Sequence, residues 1–210
     1  MDIALKRLNR ISDLVFAAAM TIMILLFQLP TEDDLSTKES FELYLGEAFP
    51  TLIFFLITFT IVTIYWVKDV GQFKYIQRTD NTHTWLQMGS LAFLLLLPWT
   101  NALLEINPDH LTVRILYCLI IFMTGLFSSL AWHYASKNNR LVDKDLDKKQ
   151  VFTILEINLT EPIVALIAIF IAILWPDFFM LSFILIPLLY SLQKKIRHKI
   201  KEKKMRQDEN

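Results

Sequence analysis

The sequence predicts an all-α protein that crosses a membrane six times with both termini in the cytoplasm, and three observations carry that prediction. Hydrophobic residues make up 54% of the 210-residue chain and mean hydropathy is +0.42, too apolar for a water-soluble domain. The apolar residues come in long continuous blocks rather than in alternation, which argues against a membrane barrel. Finally, the connections between the blocks alternate in charge.

A bilayer core of about 30 Å takes roughly 20 helical residues. The blocks fit six spans: 11–30, 49–68, 85–105, 111–134, 152–174 and 176–193. Span one ends at Leu29-Pro30, where proline discourages continuation. Pro98 is expected to kink span three, and Pro162 to kink or interrupt span five, leaving Glu156 and Glu161 near the cytoplasmic surface. Trp175-Pro176-Asp177 leaves room only for a tight turn, so spans five and six form a hairpin. Residues 1–193 are read as the membrane domain and 194–210 as a basic cytoplasmic tail.

Charge orients these spans. Lys6, Arg7 and Arg10 precede span one; Glu32, Asp33, Asp34, Glu39, Glu42 and Glu47 against Lys38 follow it. Lys74 and Arg78 lie in the next connection with Lys68 at its membrane edge, Glu105 and Asp109 in the one after. Lys137, Arg140, Lys144, Lys148 and Lys149 follow, and the tail carries eight Lys and Arg. The positive-inside rule then puts both ends in the cytoplasm. The tail reads as an orientation signal that touches anionic headgroups; it lacks the folded module or interleaved aromatics of a nucleic-acid binder. The acidic first connection reads as a solvated loop. The N-terminal block is expected to span rather than to serve as a cleaved signal.

Span one holds the candidate functional residues. At 100° per residue, Leu14, Ala18, Thr21, Leu25 and Gln28 share one stripe, while Asp13 points about 140° from Ala18. Charge within a bilayer costs roughly 2.5–3.5 kcal/mol on insertion scales, so Asp13 calls for a partner on another helix or a functional reason. Ser12-Asp13 also fits a plain helix start, serine as N-cap and aspartate in the first turn. Thr21 is expected to bond the carbonyl of Ala17. Arg114 is placed to snorkel or to pair with Glu105 or Asp109, and Trp132 and His133 look like interface anchors.

Covalent chemistry has no footing in the sequence. Gly-rich phosphate loop, HExxH, nucleophile elbow and His/Cys cluster are all missing. The single Cys118 builds neither disulfide nor metal site. There is no TVGYG-like filter and no repeated arginine of a voltage sensor. Passage across the membrane remains, or a structural role, and no cofactor or resident metal is implied.

The opening motif narrows that choice. Arg7-x-x-x-Ile11-Ser12-Asp13-x-Val15-Phe16-Ala17 resembles the R-x-x-x-F-S-D-x-V-F-A signature of the transmembrane protein 175 family, potassium channels of endosomes and lysosomes and their prokaryotic relatives. Ile64-Tyr65-Trp66, the segment Leu97 to Leu104, Pro162 and Ile186-Pro187-Leu188-Leu189-Tyr190 resemble further family segments, so the likeness touches five of six spans. The resemblance implies a homotetramer in a prokaryotic inner (plasma) membrane. The first helices would line a potassium-permeant pore at Ala18, Thr21 and Leu25, with Leu14 and Gln28 in the same stripe and potassium passing near Thr21. It further implies that Arg7, Ser12 and Asp13 face away from the pore in a polar network. The sequence departs from the family at Ile11, in place of phenylalanine, and at Ala18, in place of a branched constriction residue, which moves the narrowest point toward Leu25 or Leu14. The histidine after the Tyr-Trp pair is also absent, with Lys68 and Asp69 nearby instead. Two other readings stand beside the channel: a proton-coupled transporter using Asp13 or Glu161, and a non-conducting membrane scaffold.

Overall fold

The computed structural model describes residues 2–27, 29–192 and 195; of Leu26 only the backbone is described. Gln28, which the stripe in span one includes, and almost all of the basic tail lie outside those residues. The described chain is helical: α1 Ile3–Ile22, continued by a 3-10 turn Met23–Leu26, α2 Lys38–Phe73, α3 Asn81–Leu94, α4 Leu97–Ile106, α5 Leu111–Ser136, α6 Lys148–Asn158, α7 Thr160–Leu174 and the short α8 Phe179–Ser182. Joined across their breaks, these give five helices long and apolar enough to cross a membrane, and a shorter apolar helical stretch at Pro176–Leu192.

The first helix starts earlier than the apolar block does. Asp2 accepts from the Ala4 N–H and caps it, and Leu5 and Leu8 are buried. Packing of that first turn extends the helix past the charged residues, so Ser12 and Asp13 lie mid-helix rather than at its start. The acidic connection is likewise half helical: Thr37 accepts from the Ser40 N–H and α2 runs 36 residues with Pro50 inside it.

Proline punctuates the other long helices. Span three breaks at Leu95–Leu96, and Pro98 stands in the first turn of α4, where its missing N–H costs no helical bond. Span five breaks at Leu159, three residues before Pro162.

α5 is the central helix, packed chiefly on α3 and α7. Two glycines let its neighbours approach. A Cβ on Gly125 would lie 2.5 Å from Pro162 Cγ and 3.0 Å from Tyr65 Oη; one on Gly89 of α3 would lie 2.5 Å from the Phe127 ring. The main core gathers Phe16, Ile61, Leu94, Tyr117, Ile121 and Phe183, and a second cluster around Trp132, Leu5 and Phe73 seals one end. Trp132 is therefore no interface anchor: its ring is buried and its Nε1 donates to the Val151 carbonyl at 3.0 Å. His133, by contrast, is exposed.

At that end the connection after α2 and the one after α5 clasp each other. Ile76 and Val142 form an antiparallel bridge, and the Tyr134 hydroxyl donates to Asp80 at 2.8 Å. Burial pushes the Asp80 carboxyl up, but bonds from the His83 N–H and Tyr134 and the charge of Arg140 outweigh it and hold it below the ordinary carboxylate range.

Candidate functional site

The two faces of α1 differ in kind. Leu5, Leu8, Ser12, Phe16 and Ala19 are buried, following a three-to-four residue period. The opposite face is exposed along its length: Leu14 (69%) and Leu25 (76%), with Ala18 and Thr21 exposed between them. Four of the five residues in the predicted stripe thus share an uncovered face of the chain. Thr21 donates its hydroxyl proton to the Ala17 carbonyl at 2.7 Å, which leaves its oxygen lone pairs as the polar feature of that face.

Behind α1, the run Tyr65 to Asp69 of α2 binds four other helices. Trp66 Nε1 donates to Asp13 Oδ1 of α1 at 3.1 Å. Asp69 accepts from the Ser12 hydroxyl of α1 on one oxygen and from Gln87 Nε2 of α3, at 2.5 Å, on the other. Tyr65 donates to the Ile121 carbonyl of α5 at 2.7 Å. Lys68 pairs with Glu161 of α7. The 100° step of a helix does this: Lys68 points toward α7 and Tyr65 toward α5, while Trp66 and Asp69 both reach α1 and Asp69 also meets α3.

Ser12 and Asp13 are accordingly both tied to α2, by separate bonds. Arg7 stands apart. It is exposed on a groove with Leu8, Ile11, Thr84 and Met88, and among the described residues no bond joins it to Ser12 or Asp13. Five residues of helix turn it about 140° from Ser12. Where the family pattern carries a histidine after the Tyr-Trp pair, Asp69 here takes the Ser12 hydroxyl.

Glu161 corrects the sequence reading. It is fully buried rather than near a surface, and Lys68, expected at the membrane edge, is 7% exposed. Each charge tolerates burial because the other is there. Glu156, one turn earlier, is exposed. No pattern in one sequence joins residues 93 positions apart; the available signal was the presence of both charges inside apolar helices.

Further along α2, a second polar tract was not foreseen. Tyr117 and Thr58 share a 2.7 Å hydroxyl bond, Thr58 donates to Asn101 Oδ1 at 2.5 Å, and Thr51 donates to Glu105 at 2.5 Å. Arg114 pairs with Asp109 at 3.0 Å, one of its two expected partners.

Residues 7–98 match the family model of the endosomal/lysosomal potassium channel TMEM175, a stretch that holds the whole of α1 beyond Arg7 and all of the α2 hub. Over residues 7–98 the chain resembles TMEM175 proteins. It is 26% identical over 192 residues to the zebrafish endosomal/lysosomal proton channel TMEM175, covering 89% of this chain and 36% of that protein. A Streptomyces collinus protein named as a potassium channel is 27% identical over 146 residues, covering 67% of this chain and 69% of that one. The chain thus spans about a third of the zebrafish relative's length. The fold matches the crystal structure of a lysosomal potassium-selective channel TMEM175 homolog from Chamaesiphon minutus, with TM-score 0.77 and 19% identity over 91% of this chain and 98% of that one. TMEM175 is a channel family, not an enzyme family.

Proposed function

We propose that this chain is a potassium-permeant cation channel of a cell's inner (plasma) membrane. In this reading it is a homotetramer in which the uncovered face of α1 lines the pore, with residues 1–193 as the channel domain and both termini cytoplasmic. The observation that carries the reading is the division of α1. One face is bound to the α2 hub, while the other offers Leu14, Ala18, Thr21 and Leu25 with one polar group among apolar ones; Gln28 continues that stripe in sequence. The alternating charge of the connections supports the orientation, and the names of the bacterial relatives support the ion.

No covalent step is needed. Apolar rings at Leu25 and Leu14 gate by shedding water, and Thr21 oxygens replace part of the hydration shell of a passing cation. Ala18 contributes little closure, having no branched side chain. Lys6, Arg7 and Arg10 stand at the cytoplasmic entrance, and the basic tail, 194–210, lies on the same side. Asp13, bonded to Trp66, and Glu161, paired with Lys68, both serve as helix ties in this reading rather than as the carboxylate of a coupled transporter, and the conducting face sets the chain apart from a mere scaffold.

The test is flux through purified protein in liposomes under potassium, sodium and proton gradients. Wild type is expected to pass potassium at channel rates, Leu25→Ala to raise leak and Thr21→Val to lower the potassium-to-sodium ratio. No flux with active controls overturns the reading; a ratio unchanged in both variants overturns the pore face. The vertebrate relatives named proton channels favour a second reading, proton passage by the same face, which the proton arm of the assay measures.

A further inference from the structure

We propose that Glu161 is a positioning residue for the pore helix: acting through Lys68, it sets the rotation of α2 that presents Asp69 to Ser12 and Trp66 to Asp13. The functional half of this inference rests on the channel reading above; the structural half does not.

The argument starts from adjacency. Lys68 and Asp69 are consecutive, so about 100° of helix separates their side chains, and a turn of α2 that moves one moves the other. Lys68 is held from the α7 side and Asp69 from the α1 and α3 sides. Glu161 is anchored on its own account. It lies in the first turn of α7, just past the break at Leu159, and the next residue, Pro162, is seated against Gly125 of α5. Tyr65, one turn before Lys68, meets the same place: its hydroxyl would lie 3.0 Å from a Cβ at Gly125, and the Lys68 ammonium stands 5.9 Å from its ring centroid.

The pair is also short of alternatives. Among the described residues, Glu161 Oε1 has no hydrogen-bond partner and Oε2 is taken by Lys68. Neither side chain reaches solvent, at 4% and 0% exposure. A buried charge with one partner holds that partner's position tightly, because any separation leaves both uncompensated. The rigid α5–α7 contact therefore transmits its position to α2, and α2 transmits it to the buried face of α1. The hub links α7 to α1 through Lys68 and Asp69.

The experiment compares wild type, Glu161→Gln and the swapped pair Lys68→Glu/Glu161→Lys in the full chain. Two readouts are taken: hydrogen exchange across α1, and the potassium-to-sodium flux ratio in liposomes. Glu161→Gln is expected to raise exchange over residues 11–20 by at least about tenfold, less than the full cost of stranding a buried charge, while residues 111–120 of α5 change little, and to lower the flux ratio. The swapped pair is expected to restore both at least in part. If Glu161→Gln lowers thermal stability but leaves α1 exchange and the flux ratio at wild-type values, Glu161 is merely structural and the inference is overturned. Should Glu161→Gln fail to assemble, Glu161→Asp, which withdraws the carboxylate by one methylene, gives the same comparison with the same two outcomes. If wild type conducts nothing, the channel reading falls, and α1 exchange still decides the positioning role.

Discussion

The uncovered face of α1 and the Tyr65–Asp69 segment of α2 lie within one chain and solve opposite problems. The first offers apolar side chains to its surroundings with a lone hydroxyl, and no charge between Leu14 and Leu25. The second packs a cation, an anion, an indole N–H and a phenol into five residues, with partners on four other helices among them. The difference teaches where polarity is placed in this fold. Charge is spent on holding helices, and the face proposed for conduction is kept nearly free of it. Substitutions should therefore separate cleanly: those in the hub should change stability, and those on the stripe should change passage.

The largest expected effect is Lys68→Met, which leaves Glu161 buried and uncompensated and should cost about 3–5 kcal/mol. A lowered midpoint on thermal melting in detergent checks it. Adding Glu161→Leu should recover most of the loss, since replacing a buried pair by apolar residues is often near neutral. Gly125→Ala comes next. Its new Cβ meets Pro162 Cγ at 2.5 Å, a backbone-anchored ring that cannot swing aside, and overpacking of this kind costs about 1–3 kcal/mol. A lowered melting temperature with unchanged helical circular dichroism would report it.

Thr21→Val and Leu25→Ala probe the other side of the comparison. They should shift stability by less than about 0.5 kcal/mol in the isolated subunit, where neither side chain is buried, while altering ion passage. A large stability loss in either would place the stripe inside a packed interface instead. The smallest effect belongs to the Asp80 clasp. The folded Asp80 carboxyl is held below its ordinary range, so its contribution is present above the unfolded carboxylate value and fades as pH falls through the folded one. Acid should loosen the clasp in proteolysis of residues 137–147, and Asp80→Asn should remove that acid dependence.

Helix content, the break at Trp175-Pro176 and the shared exposure of Leu14, Ala18, Thr21 and Leu25 were legible because they rest on local rules: apolar length, proline and a 100° step. The i−4 bond of Thr21 was legible for the same reason. The start of α1 was misplaced because Leu5 and Leu8 are isolated apolar residues whose burial depends on the second core cluster, which hydropathy does not see. The helical half of the acidic connection was missed because its polar residues hide a Thr37 cap. Lys68 and Glu161 were each visible as costly charges, yet their pairing is tertiary, as is that of Asp69 with Ser12. Trp132 was misread for a related reason: a tryptophan near a helix end resembles an anchor until a neighbouring segment, here α6, is laid over it.

The bond from Thr21 to the Ala17 carbonyl has one more consequence. A hydroxyl is ordinarily ambivalent, able to offer a proton to chloride as readily as a lone pair to potassium. Here the proton is already committed one turn back along the helix. A ring of such oxygens in the proposed pore would have nothing to donate, so discrimination by sign of charge would need no charged residue at all and would be written into the helix backbone itself.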